Sequence, residues 1–463
     1  MRLISGLLLV CALACLVPAQ GWIDRTAANG PGPGVDASMV FDPVHAYSLL
    51  VRRTNIGSYE TWSWDGIQWT NLGPAPTGLS GLVWHAATQE VVGLGAPLNT
   101  PGPTSFQLYV WTGSTWVSTW SSPVALGTHN GRMASAYDPV RQESVFRAGV
   151  LGTYGVVLVY NGTSLAARTM ASGPFNNGEQ EAMAWDPIAQ KVVFARNDWT
   201  NVMIGSTWVG IPVVRFFEWS GFGWNLRYPA TAPGLLGCMA TDLLRQRVVL
   251  FDGDHPTSNT LGASQPQHTW TLSAGLTTQL NATFAPEPRQ RAAMAFDSAR
   301  GVMVMFGGTI STYGAQYSDT WEFELGPVAE FSTYGQGCAG SRGVPSVSAP
   351  LGSLPRIGTT FTVQVSNVPF TGPVFLGVGF SDSDYGGTPL PLDLSTVGAP
   401  GCELLQSLDA LLPLTNIVGS ASWSLTVPPI PGGEFFVQAF AFDPPANAFG
   451  YTASNAAKAV IGL

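Results

Sequence analysis

A unit of small, apolar and aromatic strands recurs along the first 328 residues of the chain. In its clearest copy, 291–324, a run of small residues ends at Asp297, and a tight turn leads to an apolar run ending at Gly307-Gly308. A polar connection and an aromatic run around Trp321 follow. Such short alternating runs, bounded by turn residues, predict β-strands. A Gly and a further aromatic residue commonly come next and predict a fourth strand.

The residue at the first turn aligns six copies of the unit. It is an aspartate in five copies and a histidine in the second: Asp42, His85, Asp138, Asp186, Asp242 and Asp297. An aspartate that opens a turn accepts hydrogen bonds from nearby backbone N–H groups, so these carboxylates are predicted to be structural.

The strand before this turn carries two different columns of side chains. Two and four positions before the turn the residues are mostly small and share one face of the strand, which predicts six strands crowded around a common axis. The position between them is Met in four copies and is predicted to pack on a neighbouring sheet. Four strands per unit, repeated about every fifty residues, are typical of a β-propeller.

The N-terminal segment 20–26 resembles the fourth strands of the other units. The sixth unit lacks such a strand, because 325–327 reads Leu-Gly-Pro directly after its third. We therefore expect Trp22 to begin the missing strand of the last blade, which closes the ring and leaves no open sheet edge. The six units and the closing strand predict six blades, with seven as the alternative.

Residues 22–328 resemble a Kelch-repeat propeller, related to the central domain of galactose-oxidase-like proteins. The resemblance rests on the Gly307-Gly308 pair after an apolar strand and on Trp321 downstream. The double glycine occurs once, and Phe251-Asp252-Gly253 is a partial copy. The resemblance therefore implies a fold and no shared ligand.

The repeat stops after Pro327. Alternating residues such as Phe361, Val363 and Val365, and the run 436–440, predict half-buried strands of a β-sandwich. Three blocks, 334–338, 390–402 and 443–447, resemble a C-terminal domain found on many secreted planctomycete proteins. The predicted class is all-β: a six-bladed β-propeller followed by a β-sandwich domain. The predicted boundaries are 1–19 for a signal peptide, 20–328 for the propeller and 329–463 for the sandwich.

The N-terminus is typical of a secretory signal. Arg2 precedes an apolar run from Leu3 to Val17, and Ala19 provides the small residue before a cleavage site. Secretion, or a cell-surface or periplasmic location, follows. No second apolar segment of the sequence is long enough to span a bilayer.

Removal of the signal leaves three cysteines. Cys338 and Cys402 each follow a glycine in loop-like sequence of one domain and are predicted to form a disulfide bond in an oxidising compartment. Cys238 stands in the small-residue column of the fifth unit and is predicted to be a buried thiol.

Composition excludes some partners. Among 463 residues only 11% are charged and the net charge is −9, with Lys191 and Lys458 the only lysines. A basic surface for nucleic acid or an anionic membrane is therefore not expected. The five histidines lack metal-ligand spacing, the residues of a copper–tyrosyl centre are absent, and no sialidase-type box is present. We expect no cofactor, no metal ion and a monomer.

The departures from the repeat provide the candidate site. Connections between second and third strands are long at 197–214, 252–268 and 309–319, and they should leave the ring on one face. Aromatic and polar residues there suit stacking on, and hydrogen bonding to, a sugar or a peptide, although loop packing would also account for them. The candidate binding residues are Trp199, Trp208, Asp254, His255, Tyr313 and Tyr317.

Three functions remain open from the sequence. The first is a secreted, noncatalytic protein whose propeller loops bind a protein or an extracellular glycan. The second is a carbohydrate-active hydrolase or lyase with carboxylates at the propeller mouth. The third is a structural component of an envelope or matrix.

Overall fold

The computed structural model describes residues 21–95, 105–122, 133–148, 156–169, 181–204, 207–227, 236–253, 268–280, 284–310, 314–428, 430 and 432–462. The all-β class is confirmed: within these ranges the only helix is a single 3-10 turn at Ser395–Val397. No helix of the described chain is long and apolar enough to cross a membrane. Contacts divide the protein into two compact units, one ending at Leu325 and the other beginning at Gly326.

The described residues of the first unit form six antiparallel sheets of four strands each. Its strands, in chain order, are β1 (Gly21–Asp24), β2 (Gly34–Asp42), β3 (Tyr47–Thr54), β4 (Tyr59–Trp64), β5 (Trp69–Pro74), β6 (Leu79–His85), β7 (Glu90–Gly95), β8 (Gln107–Trp111), β9 (Trp116–Ser121), β10 (Ala134–Asp138), β11 (Glu143–Ala148), β12 (Val156–Tyr160), β13 (Leu165–Thr169), β14 (Glu181–Asp186), β15 (Lys191–Ile204), β16 (Thr207–Trp219), β17 (Trp224–Arg227), β18 (Leu236–Asp242), β19 (Arg247–Asp252), β20 (Thr269–Ser273), β21 (Leu276–Leu280), β22 (Ala293–Asp297), β23 (Val302–Thr309) and β24 (Gln316–Glu324).

These sheets form a six-bladed propeller. Blades one to five are the consecutive sets β2–β5, β6–β9, β10–β13, β14–β17 and β18–β21, and blade six has the order β22–β23–β24–β1. The first strand of every blade contacts the first strands of the two neighbouring blades, and β22 contacts β2 to complete the ring. The predicted number of blades is confirmed.

Strand β1 closes the ring as predicted. It pairs antiparallel with β24, and Trp22 stands opposite Phe323. The Trp22 side chain is 3% exposed, lies edge-on to Phe251 at 5.3 Å and donates a 2.8 Å hydrogen bond from Nε1 to Oγ1 of Thr269. Phe251 and Thr269 belong to blade five, so Trp22 joins the two blades that meet at the closure.

At the interfaces between blades, the Met column of one innermost strand packs against the small-residue column of the neighbouring innermost strand. The Met column packs on a neighbouring sheet, as predicted, and it lies on the small-residue column of the preceding blade. In the third interface of the ring Met183 contacts Ala134 and Ala136, and in the closing one Met39 contacts Ala293 and Ala295. Small residues suit these positions, because a much larger side chain would separate strands that the ring holds close together.

In five of the six blades the turn after the innermost strand is built around an aspartate. In blade one Oδ1 of Asp42 accepts hydrogen bonds from the backbone N–H groups of Val44 and His45, at 3.0 and 3.2 Å. The same pair of bonds recurs at Asp138, Asp186 and Asp297. The structural role predicted for these carboxylates is confirmed.

These turns also lock neighbouring blades together. Arg141 donates from Nη1 to Oδ2 of Asp138 at 2.8 Å and from Nη2 to the carbonyl of Ser220 in blade four at 2.9 Å. The adjacent Gly221 has φ +94°, and a Cβ there would lie 2.7 Å from the Arg141 side chain. Glycine is required at this position by both backbone conformation and space.

The second unit has twelve strands. They are β25 (Glu330–Tyr334), β26 (Ser346–Ser348), β27 (Thr360–Ser366), β28 (Val374–Gly379), β29 (Asp384–Tyr385), β30 (Thr388–Pro389), β31 (Leu392–Asp393), β32 (Glu403–Leu404), β33 (Ala410–Leu414), β34 (Ala421–Thr426), β35 (Glu434–Phe442) and β36 (Tyr451–Val460). A five-stranded sheet, β25–β36–β35–β28–β33, and a three-stranded sheet, β26–β27–β34, form the predicted β-sandwich.

The core of the sandwich lies between its two sheets. Phe361, Val363 and Val365 point into it, as their alternation predicts. On β35 the core-facing residues are 435, 437, 439 and 441. The other face of β35 is buried as well, since Gln438 is fully buried and its amide bonds to the backbone of 403, 405 and 454. The segment 403–405, which bonds to Gln438, covers this face and shields it from solvent.

Cys338 and Cys402 form the predicted disulfide bond. The bond joins residues 64 positions apart and lies in a small buried cluster with Ala399 and Ala453. Cys238, in the propeller, is a buried thiol with its Sγ 3.6 Å from Sδ of Met305. Both outcomes agree with the sequence prediction.

Replacing Trp22 with Ala should lower the free energy of unfolding by about 3–5 kcal/mol, because it removes a buried aromatic side chain from the closure. Chemical denaturation followed by circular dichroism measures the change. Trp120→Ala, at a residue 42% exposed on β9, is the matched control and should change stability by less than about 1 kcal/mol. Equal stability of the two variants would contradict closure through Trp22.

Replacing Arg141 with Ala should cost about 2 kcal/mol, because Asp138 is fully buried and loses a charged partner while the bond to Ser220 is also lost. Lys191→Ala removes a positive charge from the same side of the ring and serves as the control. An unchanged denaturation midpoint for Arg141→Ala would show that the turn does not lock the blades.

Candidate functional site

The ring has two chemically different faces. Because successive strands of a blade are antiparallel, turns such as 43–46 and 65–68 lie on one face, which we call the turn face. Connections such as 55–58 and 75–78 lie on the other, the loop face. Every propeller segment between described strands that falls outside the described residues connects strands on the loop face. The strand ends that border the predicted connections 252–268 and 309–319 lie on this face.

Three of the six candidate binding residues, Asp254, His255 and Tyr313, lie outside the described residues. The other three belong to strands. Trp199 and Trp208 are in β15 and β16, and Tyr317 is in β24. The prediction of a loop at 197–214 was wrong. The segment is rich in β-branched residues such as Val202, Ile204 and Ile211, which favour a strand.

Strands β15 and β16 form a long hairpin in blade four. Their ladder continues to the pair Ile204↔Thr207. Strand β3 ends twelve residues after its turn aspartate, whereas β15 ends eighteen after Asp186, so this hairpin extends about 20 Å farther at the usual rise of a strand. The register pairs Trp199 with Pro212 and Trp208 with Met203. The 16 residues 199–214 carry no charge.

Tyr317 is half-buried and packs against a buried arginine in blade six. Arg289 is fully buried, with its guanidinium 4.1 Å from the centre of the Tyr317 ring. Two of its nitrogens donate to the Asp319 carboxylate, at 2.6 and 2.8 Å. A third bond goes from Nη1 to the carbonyl of Gly307, at 3.0 Å. The tyrosine therefore supports the arginine that holds the end of β23 to β24.

Arginine–carboxylate pairs surround the loop face. They were not predicted, because most of them join residues that are distant in the sequence. Five carboxylates contact arginines: Asp36–Arg53, Glu60–Arg52, Glu181–Arg147, Asp198 with Arg196 and Arg215, and Asp319–Arg289. Burial, and to a lesser degree the positive charge of Arg196, lowers the pKa of Arg147 to about 10. The blade three and four pairs therefore form one cluster of opposite charges.

Asp252 differs from these carboxylates. It ends β19, is 9% exposed and has no arginine partner among the described residues. Its Oδ2 lies 3.3 Å from Nδ1 of His268. Burial raises the pKa of Asp252 to about 7 and lowers the pKa of His268. Both shifts favour the neutral forms, in which the carboxyl group can donate a hydrogen bond to the imidazole.

The sequence contained a signal for this pair, since Asp252 directly follows an apolar strand and its partial double-glycine motif. The sequence did not indicate that Asp252 contacts His268, which lies sixteen residues later. No group of three or more His, Cys, Asp or Glu side chains within the described ranges is arranged to hold a metal ion. The pair can act as a proton donor or acceptor, or as a hydrogen-bonding site for an uncharged ligand.

Replacing Asp252 with Asn should stabilise the protein more at pH 8 than at pH 5. The wild-type carboxyl has a raised pKa, so its ionisation lowers stability as the pH rises from about 4 to about 7, and the asparagine does not ionise. The gain at pH 8 should exceed that at pH 5 by about 2–3 kcal/mol. Urea denaturation at both pH values measures it, and an equal effect at both would contradict the raised pKa.

No family model matches the chain, and no curated protein matches it. Solved structures do. A gluconolactonase from Xanthomonas campestris is 13% identical with a TM-score of 0.40, covering 67% of this chain and 93% of its own. A mutant of AofleA from Arthrobotrys oligospora is 11% identical with a TM-score of 0.42, covering 66% and 88%. A mutant sialidase from Trypanosoma rangeli that displays trans-sialidase activity is 9% identical with a TM-score of 0.41, covering 97% and 95%. At such values the function has to be argued from this chain's own residues.

Proposed function

We propose that the protein is a noncatalytic binding protein whose propeller uses its loop face to contact a protein or an extracellular glycan. The observation that carries this proposal is the blade-four hairpin, which extends beyond the other described strands on that face. It bears Trp199 and Trp208, two of the residues selected from the sequence. Aromatic residues on such an element suit stacking on a sugar ring or packing against a peptide.

The composition of the hairpin favours a contact role. A two-stranded ribbon has two unpaired edges and is only marginally stable alone in water. Natural edge strands avoid association by means of charges, and residues 199–214 contain none. Met203, near the tip, is 54% exposed. An uncharged ribbon that extends from the ring is therefore suited to being covered by a partner.

A carbohydrate-active hydrolase or lyase is the second candidate, because a raised pKa suits Asp252 to act as a general acid. Such enzymes use two carboxyl groups, about 5.5 Å apart in retaining and about 6.5–9.5 Å apart in inverting forms. On the described part of the loop face five carboxylates are held by arginines, which leaves them poorly suited to act as a base or a nucleophile. This arrangement favours binding over hydrolysis.

The proposal includes an extracellular, cell-surface or periplasmic location. Residues 1–19 serve as a signal peptide, 20–328 as a Kelch-type propeller and 329–463 as a sandwich of the kind found on secreted planctomycete proteins. The Cys338–Cys402 disulfide supports this location, because such bonds persist in oxidising compartments. The partner is expected to be a protein or a glycan.

The double variant Trp199→Ala/Trp208→Ala tests the binding role. A glycan array and a pull-down from culture supernatant, both with the full chain, should show ligands that the double variant binds at least tenfold more weakly, a loss of about 1.4 kcal/mol. Trp120→Ala, which removes an exposed tryptophan of blade two, is the control and should bind like the wild type. Equal binding by all three proteins would contradict a role for the hairpin.

The enzyme alternative has a separate readout. Purified polysaccharides are incubated with the wild type and with Asp252→Asn, and released reducing ends are measured. If the wild type turns over a polysaccharide and Asp252→Asn does not, the protein is a hydrolase and the binding proposal is wrong. The binding proposal predicts no turnover by either protein.

A further inference from the structure

A second site lies on the turn face, away from the hairpin. There the propeller axis opens into a cavity of about 370 Å³ to which the innermost strands of all six blades contribute. Its volume falls near the lower end of the range for small-molecule pockets, roughly 300–1,000 Å³. The cavity remains open although the innermost strands of neighbouring blades pack against each other around it.

The walls of the cavity are aromatic. The residue before each turn position lines it and is aromatic in five of the six blades: Phe41, Trp84, Tyr137, Trp185, Thr241 and Phe296. Blade five, with its threonine, leaves a gap in an otherwise continuous aromatic ring. Such walls favour a flat aromatic guest, which can contact the edges and faces of the surrounding rings.

Methionines form the inner end of the cavity. Met39, Met183, Met239 and Met294, with Leu82, line both this cavity and a smaller one of about 70 Å³ nearer the loop face. They therefore divide the axial channel, and a ligand has to enter from the turn face. Methionine side chains adapt to irregular shapes and make favourable contacts between sulfur and aromatic rings.

The lining carries no charge. None of the described residues around the cavity is Asp, Glu, Lys, Arg or His. Two of its hydroxyls are already engaged: Oγ1 of Thr241 donates to the carbonyl of Trp185 at 2.8 Å, and Oγ of Ser135 donates to the carbonyl of Leu82 at 3.3 Å. An ionic ligand would lose its hydration without a counter-charge, which is costly in such a site.

The entrance is apolar as well. Residues of the surrounding turns are exposed aliphatics: Val44 at 62%, Val140 at 59%, Ile188 at 50% and Leu243 at 53%. The basic side chains of these turns bond to the turn aspartates. Arg300, for example, donates from Nε to Oδ2 of Asp297 at 2.7 Å. In the described turns around the entrance, the basic side chains are therefore paired with aspartates.

From these features we infer that the turn-face cavity binds a small, uncharged aromatic molecule. The uncharged lining disfavours an ionic ligand, the aromatic and methionine walls favour an aromatic one, and the volume limits its size. This site is independent of the loop face, so the protein would hold a small molecule and a larger partner at opposite ends of one ring.

Two fluorescent probes of nearly equal shape test the inference on the full chain. N-phenyl-1-naphthylamine is neutral, and 1-anilinonaphthalene-8-sulfonate adds a sulfonate. The neutral probe should bind saturably, one molecule per chain, and at least about tenfold more tightly than the sulfonate, because the lining offers no counter-charge. Absence of saturable binding, or equal binding of both probes, would overturn the inference.

Variants locate the probe. Thr241→Phe completes the aromatic ring with a residue that other blades carry at that position, fills the cavity and should weaken binding of the neutral probe at least about tenfold. Thr70→Phe, on the exposed outer strand of blade one, is the matched control and should leave binding unchanged. Loss of binding in Thr70→Phe, or full binding in a folded Thr241→Phe, places the probe elsewhere and contradicts the inference.

A second variant covers the case in which Thr241→Phe does not fold, since it removes the hydrogen bonds of Thr241 to the Trp185 backbone. Ala240→Val introduces the residue that blades one and two already carry at the same position, Val40 and Val83. It narrows the cavity by two methyl groups and should weaken binding about threefold. Unchanged binding in this variant would count against the cavity as the site.

Discussion

The propeller depends on the pairing of its first strand with its last. β24 would otherwise be an open edge of blade six, and pairing with β1 covers that edge with residues 21–24. The closure fixes how near the innermost strands come to one another, and this distance favours small residues such as alanine beneath the methionines of the neighbouring blade. The Asp–Arg turns then join blades at the turn face. Each of these interactions presupposes a closed ring.

Function is expected where the repeat is broken. Four blades have an aspartate turn with a basic residue three positions on, and five have an aromatic residue before the turn, so these features belong to the scaffold. The exceptions are the blade-four hairpin on the loop face and Thr241 in the wall of the axial cavity. The buried pair of Asp252 and His268 is a third exception, because arginines neutralise the other carboxylates described around that face.

The sequence predicted most of the fold because the repeat presents each position six times. The closing strand at Trp22, the role of Asp42 and its equivalents, and the Cys338–Cys402 bond all follow from local patterns. The hairpin was missed because Gly205, Gly210 and Pro212 are turn formers, and cross-strand pairing outweighs such local preferences. The cluster of Tyr317 and Arg289 could not be predicted, since contacts between distant residues depend on strand register, which composition does not reveal.

The most direct test of this account is native-state hydrogen exchange of the amides in β1. If residues 22–24 close the ring, those amides that pair with β24 exchange only when the propeller unfolds, and their protection equals that of β24 itself. If the ring is closed in another way, the amides of β1 exchange by local opening, many times faster than those of β24. The second result would contradict closure by the N-terminal strand.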